Sequence, residues 1–435
     1  MYHSKDDIGA IVADIGSTST RVGFAGDDVP RAYLPSCVGV TTDEDANSVQ
    51  YHCDISYFRE NMRIQHAMRD GLVSDWDALQ QLWEHSVASY LKVDLKETPV
   101  LFAEKVYNSS TSRQKLCEMM FETYDVPALF IGKDSALSCY SCGKTSGVVV
   151  DCGGSGTVVT PVNDGWSETS AISRGPVGGR HMDAYMLQFV NTQMQQLYGL
   201  PPPKPLFRLT KTVTEDGSVT AQSNGLRRVH PTYDAYMALE LGRDIKESVC
   251  RMVDSSSALL EGDPRYVNMP LIPYVLPDGT VLDIGPERFQ APELLLDPAR
   301  ALLDSAELET LGLSASSPGG VPFTTDPVQK LILDTVLRCE ADAQAAMVSN
   351  LIICGGNAGF EGTPERIRNE VERIVHANAP TWKIRMVAAS SASERTLSTW
   401  IGGSILGSLG SLHEMWMGRS EYDEYGSALV DKKCP

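Results

Sequence analysis

The chain lacks long hydrophobic runs, basic clusters and any ordered cysteine pattern, and each shortage removes a class of function. Among its 435 residues no stretch approaches the roughly 18 consecutive apolar residues of a membrane-spanning helix. The opening Met1-Tyr2-His3-Ser4-Lys5-Asp6-Asp7 has no apolar core of the kind a secretory leader carries, so an intracellular protein is expected. Lys and Arg number 37 against 56 Asp and Glu, a net charge of −19. That balance argues against a broad face for nucleic acid, and hence against sequence-specific nucleic-acid binding, and favours basic protein partners or plain solubility. Arg227-Arg228 and Lys432-Lys433 are too thin for a nuclear import signal, so a nuclear address would depend on a partner. Ten cysteines are scattered without the spacing of a disulfide framework, which fits a reducing compartment. Cys139 and Cys142 form one C-x-x-C, but no second C-x-x-C or H-x-x-x-H offers the further ligands zinc needs.

What the chain does have is 42% apolar residues, room for two to four domains, and one loop pattern that occurs twice. Asp14-Ile15-Gly16-Ser17-Thr18 follows the apolar run Ile11-Val12-Ala13, and Asp151-Cys152-Gly153-Gly154-Ser155-Gly156 follows Val148-Val149-Val150. In each copy a buried strand delivers an aspartate to its end, and small residues let backbone N–H groups converge on one point. A single Asp-x-Gly after a strand is usually just a turn. As a pair facing each other, the loops could grip a polyphosphate from both sides, with the Asp14 and Asp151 carboxylates holding the waters of its magnesium ion.

Elsewhere strand-like and helix-like runs alternate, which predicts an α/β architecture. Apolar residues at Leu79, Leu82, Trp83, Val87, Tyr90 and Leu91 mark one buried helical face, followed by the strand Pro99 to Ala103. A second helix places Leu116, Met119, Met120 and Phe121 inward, ahead of the strand Ala128 to Ile131 and a helix from Ser135 to Cys142. The pattern restarts at 148 to 157, so two related units with a cleft between them are expected. Residues 36–66, containing Thr41 to Asn47, read as a small exposed lobe; 199–231 and 314–322 read as irregular loops. Leu351 to Cys354 leads into a third glycine turn, Gly355-Gly356-Asn357-Ala358-Gly359-Phe360, and then a helix from Pro364 to Val375. Ile405, Leu406, Leu409, Leu412, Met415 and Trp416 repeat at helical spacing.

In order and spacing, Asp14 to Ser36, Asp151 to Pro161, Gly355-Gly356 and Trp400 to Leu406 resemble the actin superfamily. Gly26-Asp27-Asp28, Asp75-Trp76-Asp77, Pro99-Val100-Leu101, Tyr274 to Pro277 with Asp278-Gly279, Glu287-Arg288-Phe289 and Glu421 to Glu424 extend the resemblance over nearly the whole chain. It implies a duplicated ATPase-clamp fold of two lobes around a nucleotide cleft. Its four subdomains would comprise 1–35 with 67–145 and 390–435; 36–66; 146–178 with 282–389; and 179–281 including the insertion 199–231. ATP and Mg are the implied ligands. The implied first phosphate loop is Asp14, Gly16, Ser17 and Thr18, the second Asp151, Gly153, Gly154 and Ser155, with Asp14 and Asp151 reaching the metal through water. The resemblance also implies adenosine contacts by Arg243, Lys246, Glu247, Gly355, Gly356 and Phe360, with Gly179 and Arg180 on the far wall. Without it, Lys246 and Glu247 would read as a solvated helical charge pair.

Three positions depart from the actin pattern. Asp134 stands where actins place a water-orienting glutamine, Gly154 where they place an aspartate, and Val158 where they place a histidine. Losing one positioned group of this kind costs about a hundredfold in rate or more, so ATP binding with little turnover is expected, and no catalytic residue is assigned. Together with the insertion 199–231, Lys133-Asp134 and the end Lys433-Cys434-Pro435, these departures resemble a nuclear branch of actin-related proteins. Membership would imply a scaffold subunit of chromatin-remodelling or histone acetyltransferase complexes, paired with actin along an amphipathic helix of a remodelling ATPase. It would also imply contact with other chromatin-complex subunits and with histones, a nuclear location with a cytoplasmic pool, no membrane association and no filament self-assembly. A cytoskeletal or filament-associated actin-like ATPase is the alternative.

Overall fold

The computed structural model describes residues 9–43, 48–213, 219–255, 259, 263–264, 268–300, 324–410 and 414–434. The loop expected at 314–322 and residues 44–47 of the polar stretch lie outside these.

Two sheets are built to one plan. The first runs in the order Met417–Gly418, Ala128–Lys133, Val100–Glu104, Ile11–Ile15, Ser19–Phe24, Ala32–Pro35. The second runs Trp166–Ser167, Thr157–Asn163, Gly147–Cys152, Leu351–Cys354, Met386–Val387, with Ser173–Gly175 also pairing with Thr157–Asn163. In each, a central strand pairs antiparallel with its hairpin partner on one side and parallel with a later strand on the other. A strand flanked on both edges and covered on both faces is apolar almost throughout, which is why Ile11–Ile15 is buried at all five positions. The registers place Asp14 opposite Arg21 and Ala103, and Asp151 opposite Val158 and Cys354. Both aspartates therefore occupy the carboxyl ends of equivalent strands, where open α/β sheets hold their ligands.

Each sheet has its own core. Ile11, Val12, Leu101, Ile131, Trp83 and Phe121 are buried in the first, and Val148, Val150, Met182, Ile245, Ile332 and Ile353 in the second. The helix Trp76–His85 lays Leu79, Leu82 and Trp83 on the first core, capped by Asp75, whose side chain accepts from the Ala78 N–H at 2.9 Å. Between the sheets lies the helix Asp134–Ser141, with Leu137 in the first core and Ala136 and Cys139 in a smaller cluster against Val149 and Ile352 of the second sheet. Alongside it runs Ser398–Ser408, joined through Ser138 Oγ and Thr399 Oγ1 at 3.0 Å and anchored by Trp400 Nε1 donating to the Val12 carbonyl at 3.1 Å.

The structure corrects three readings. The insertion is not wholly irregular: Leu209–Val213 pairs with Val219–Ser223 as a hairpin, in keeping with the β-branched residues in both runs. The small lobe is a three-stranded sheet, Ser48–His52, Cys37–Asp43, Arg63–His66, and it has a core face after all. Cys37, Ile55, Met62 and Ile64 bury themselves against Tyr233 of the helix Pro231–Val249. The apolar spacing over 405–416 does not carry one helix. Ser408 ends it, in a Gly407-Ser408-Leu409-Gly410 stretch rich in poor helix formers, and Leu409 is extended. Trp416 turns back against Phe130, ring centroids 6.3 Å apart, while Leu412 lies outside the described residues.

Candidate functional site

The two aspartate loops meet. Ser17 Oγ donates to Ser155 Oγ at 3.0 Å across 138 positions of sequence, and the same Ser17 oxygen accepts from the Gly71 N–H at 2.8 Å. Around this junction opens a cavity of about 740 Å³ between the lobes. Asp14, Gly16, Ser17 and Thr18 line it from one side, and Asp151, Gly153, Gly154 and Ser155 from the other. Gly179, Arg243, Lys246, Glu247, Gly355, Gly356 and Phe360 line the same cavity. Arg180 does not; its guanidinium turns toward His66, with Nη2 3.4 Å from Nε2.

The second loop is held through its own carbonyls. Its Gly153 carbonyl accepts from the Gly179 N–H at 3.0 Å and from Asn357 Nδ2 at 2.8 Å, and its Gly154 carbonyl accepts from the Arg180 N–H at 2.9 Å. Gly355 has φ of +90°, and a Cβ there would come within 2.5 Å of Asp151 Oδ1, so this turn needs glycine on both counts. Thr18 Oγ1 is buried in the cavity wall without a hydrogen-bond partner. An orphaned hydroxyl in a pocket is a ready donor for a ligand oxygen.

Lys246 is no solvated charge. It is buried, pairs with Asp183 at 2.7 Å and donates to the Gly179 carbonyl at 3.3 Å, tying the helix Pro231–Val249 to Gly179–Tyr198. Glu247 pairs with Arg243 instead, at 2.9 Å.

The aspartates are likewise already partnered. Arg21 Nη1 lies 2.5 Å from Asp14 Oδ2, and Nη2 donates to Ser19 Oγ at 2.9 Å. Burial works to lower the Arg21 guanidinium's pKa, yet the Asp14 charge prevails and raises it. Lys105 bridges the other two carboxylates, 2.7 Å from Asp134 Oδ2 and 2.5 Å from Asp151 Oδ2. Burial would again lower the ammonium, but the two carboxylates hold it well above the usual lysine range. At Asp134 burial raises the carboxyl, with Lys105 opposing and Asp151 adding to the rise.

Val158, at the position where actins place histidine, is buried among Val106, Tyr107 and Ile172. Gly154 has no room for a side chain, since a Cβ would run into the Thr18 hydroxyl. Among the described residues no three His, Cys, Asp or Glu side chains are gathered to hold a metal directly. The expected role of Asp14 and Asp151 in holding magnesium through water does not fit partners of this charge.

Sequence reading missed Arg21 and Lys105. A signal existed for each. Arg21 falls opposite Asp14 once the hairpin is folded about Ser17 and Thr18, and Lys105 is the first residue beyond the strand Val100–Glu104, at the cleft end of the sheet.

The model of the actin family matches residues 5–435. The chain belongs to the actin family. Within the family it is 30% identical over 463 residues to actin-related protein 4 of Arabidopsis thaliana, covering all of both chains. It is also 30% identical over 470 residues to actin-related protein 4 of Oryza sativa subsp. indica, again along the full length of both. The duplicated sheets and the cleft between them are the family's fold, and nucleotide binding is the property that the family suggests for this cleft.

Proposed function

We propose that the protein is an ATP-binding, largely non-hydrolysing scaffold subunit of nuclear chromatin-remodelling or histone acetyltransferase complexes. The observation that carries the catalytic half of this reading is the Lys105 bridge. Asp134 and Asp151 are both engaged by one ammonium, and Val158 and Gly154 contribute no polar side chain, so none of these four positions offers a free group to align an attacking water. Binding loses less. Loop amides, the unpartnered Thr18 hydroxyl and the Arg21 guanidinium remain for the phosphates, and Arg243, Glu247, Gly356 and Phe360 for the nucleoside. Bound between the lobes, ATP would act as a pin that stabilises the closed form by mass action.

The chromatin assignment rests on the similarity to actin-related protein 4 together with the acidic surface, which suits basic partner segments such as an amphipathic helix of a remodelling ATPase or histones. Actin is the expected companion on that helix. In the cell the protein would be nuclear, with a cytoplasmic pool. Affinity purification of the tagged full chain tests this: recovery with actin and remodelling subunits supports it. Recovery with cytoplasmic filament proteins, together with steady ATP turnover by the purified protein, would favour a cytoskeletal actin-like ATPase.

A further inference from the structure

Lys105 is packed as a fixed part of the cleft rather than as a surface side chain. Its stem lies against the turn at Gly71, where a Cβ would come within 2.7 Å of Lys105 Cγ, and Tyr107 beside it is locked by donating its hydroxyl to the Asp70 carbonyl at 2.9 Å. The strand Val100–Glu104 pairs in register with Ile11–Ile15, Asp14 opposite Ala103, so Lys105 emerges two residues beyond the level of Asp14, from where its ammonium reaches Asp151 of the second loop. Its ammonium has three donors, two of which reach Asp134 and Asp151.

Asp134 and Asp151 share Lys105, and Asp14 lines the same cavity; on their own these carboxylates would repel a polyphosphate. The charges of Lys105 and Arg21 offset most of that repulsion. A divalent ion brought within about 4 Å of a buried ammonium would itself be repelled, and the carboxylates that would attract it are already engaged. Resting on the nucleotide reading above, the geometry points to Lys105 as a built-in counter-cation in place of a divalent metal, so that this cleft binds a nucleoside triphosphate without magnesium.

The test uses the full-length protein and ATP carrying a ribose-linked fluorophore, titrated in excess magnesium and in EDTA. The wild-type Kd is expected to agree between the two conditions within about threefold. Lys105→Met removes the counter-cation and is expected to bind at least about tenfold more weakly in EDTA than in magnesium. Lys105→Arg keeps the charge and should keep the magnesium independence. Wild-type protein that binds in magnesium and loses about tenfold or more in EDTA overturns this inference while leaving the nucleotide reading intact. Protein that binds in neither condition overturns both. Should Lys105→Met fail to fold, the wild-type comparison still decides.

Discussion

At Gly154 an absent side chain is matched by a neighbour that fills its place. Thr18, on the facing loop, directs its hydroxyl into the space a Cβ would need, with its own Cβ at 3.2 Å. Restoring the aspartate that actins carry should therefore overpack the junction of the two loops. Gly154→Asp is expected to cost about 1–3 kcal/mol, read from urea unfolding. Thr18→Gly in the same chain should recover part of that loss, with a coupling of at least about 0.5 kcal/mol in the double-mutant cycle. Strict additivity would show that the two positions do not compete for space. The glycines and Asp14 and Asp151 were legible from sequence because backbone freedom and a terminal carboxylate leave a local signature. Arg21 and Lys105 were not, because each matters only through a partner that strand pairing brings within reach. The same holds for Lys246, which sequence alone would place on a wet helical face and which the fold buries against Asp183.

Among the elements, the insertion and the small lobe pack on one another around Tyr233. Phe58 of the lobe stacks on Phe207 of the insertion at 5.9 Å, and both rings meet Tyr233, at 5.7 Å and 4.9 Å. Hydrogen bonds reinforce the clasp. Asn61 N–H donates to the Arg228 carbonyl at 2.8 Å, Ile64 N–H to Thr232 Oγ1 at 2.9 Å, and Tyr233 Oη to the Ile55 carbonyl at 3.2 Å. Moving the lobe away from the insertion must separate these aromatic rings, each pair contributing about 0.5–1.5 kcal/mol beyond its buried area. Phe207→Ala should then speed release of labelled ATP roughly three- to tenfold, measured by chase with unlabelled nucleotide. An unchanged release rate would mean that exchange does not pass through this opening. The hairpin Leu209–Val213 with Val219–Ser223 lies in a stretch that reads from sequence as irregular loop, and the packing of Phe207 against the lobe could not be read either, since it depends on how distant elements face one another.

For the molecule as a whole, two half-buried imidazoles near Arg180 set a limit on acid stability. Burial, aided by Arg180, pushes His66 down to about 3 and His181 down to about 4, against an ordinary value of 6.5. Because the folded values are depressed, the unfolded chain takes up these protons first. Their contribution to stability is complete above about pH 6.5 and is lost as the pH falls from there toward the folded values, by about 2–3 kcal/mol per imidazole at pH 4.5. The urea midpoint should therefore drop between pH 7 and pH 4.5, and His66→Gln should flatten that slope. A slope indifferent to both histidines would place acid sensitivity elsewhere. Sequence by itself determined the duplicated α/β plan and the position of each aspartate at the end of a buried strand, because both are written in local periodicity and in residue identity; the departures at Asp134, Gly154 and Val158 came from the resemblance to actins. Tertiary structure alone decided that Asp14 meets Arg21 and that Lys105 spans Asp134 and Asp151. Those pairings depend on strand register and on the approach of two lobes, so the charge state of the cleft is a property of the folded chain and not of either loop.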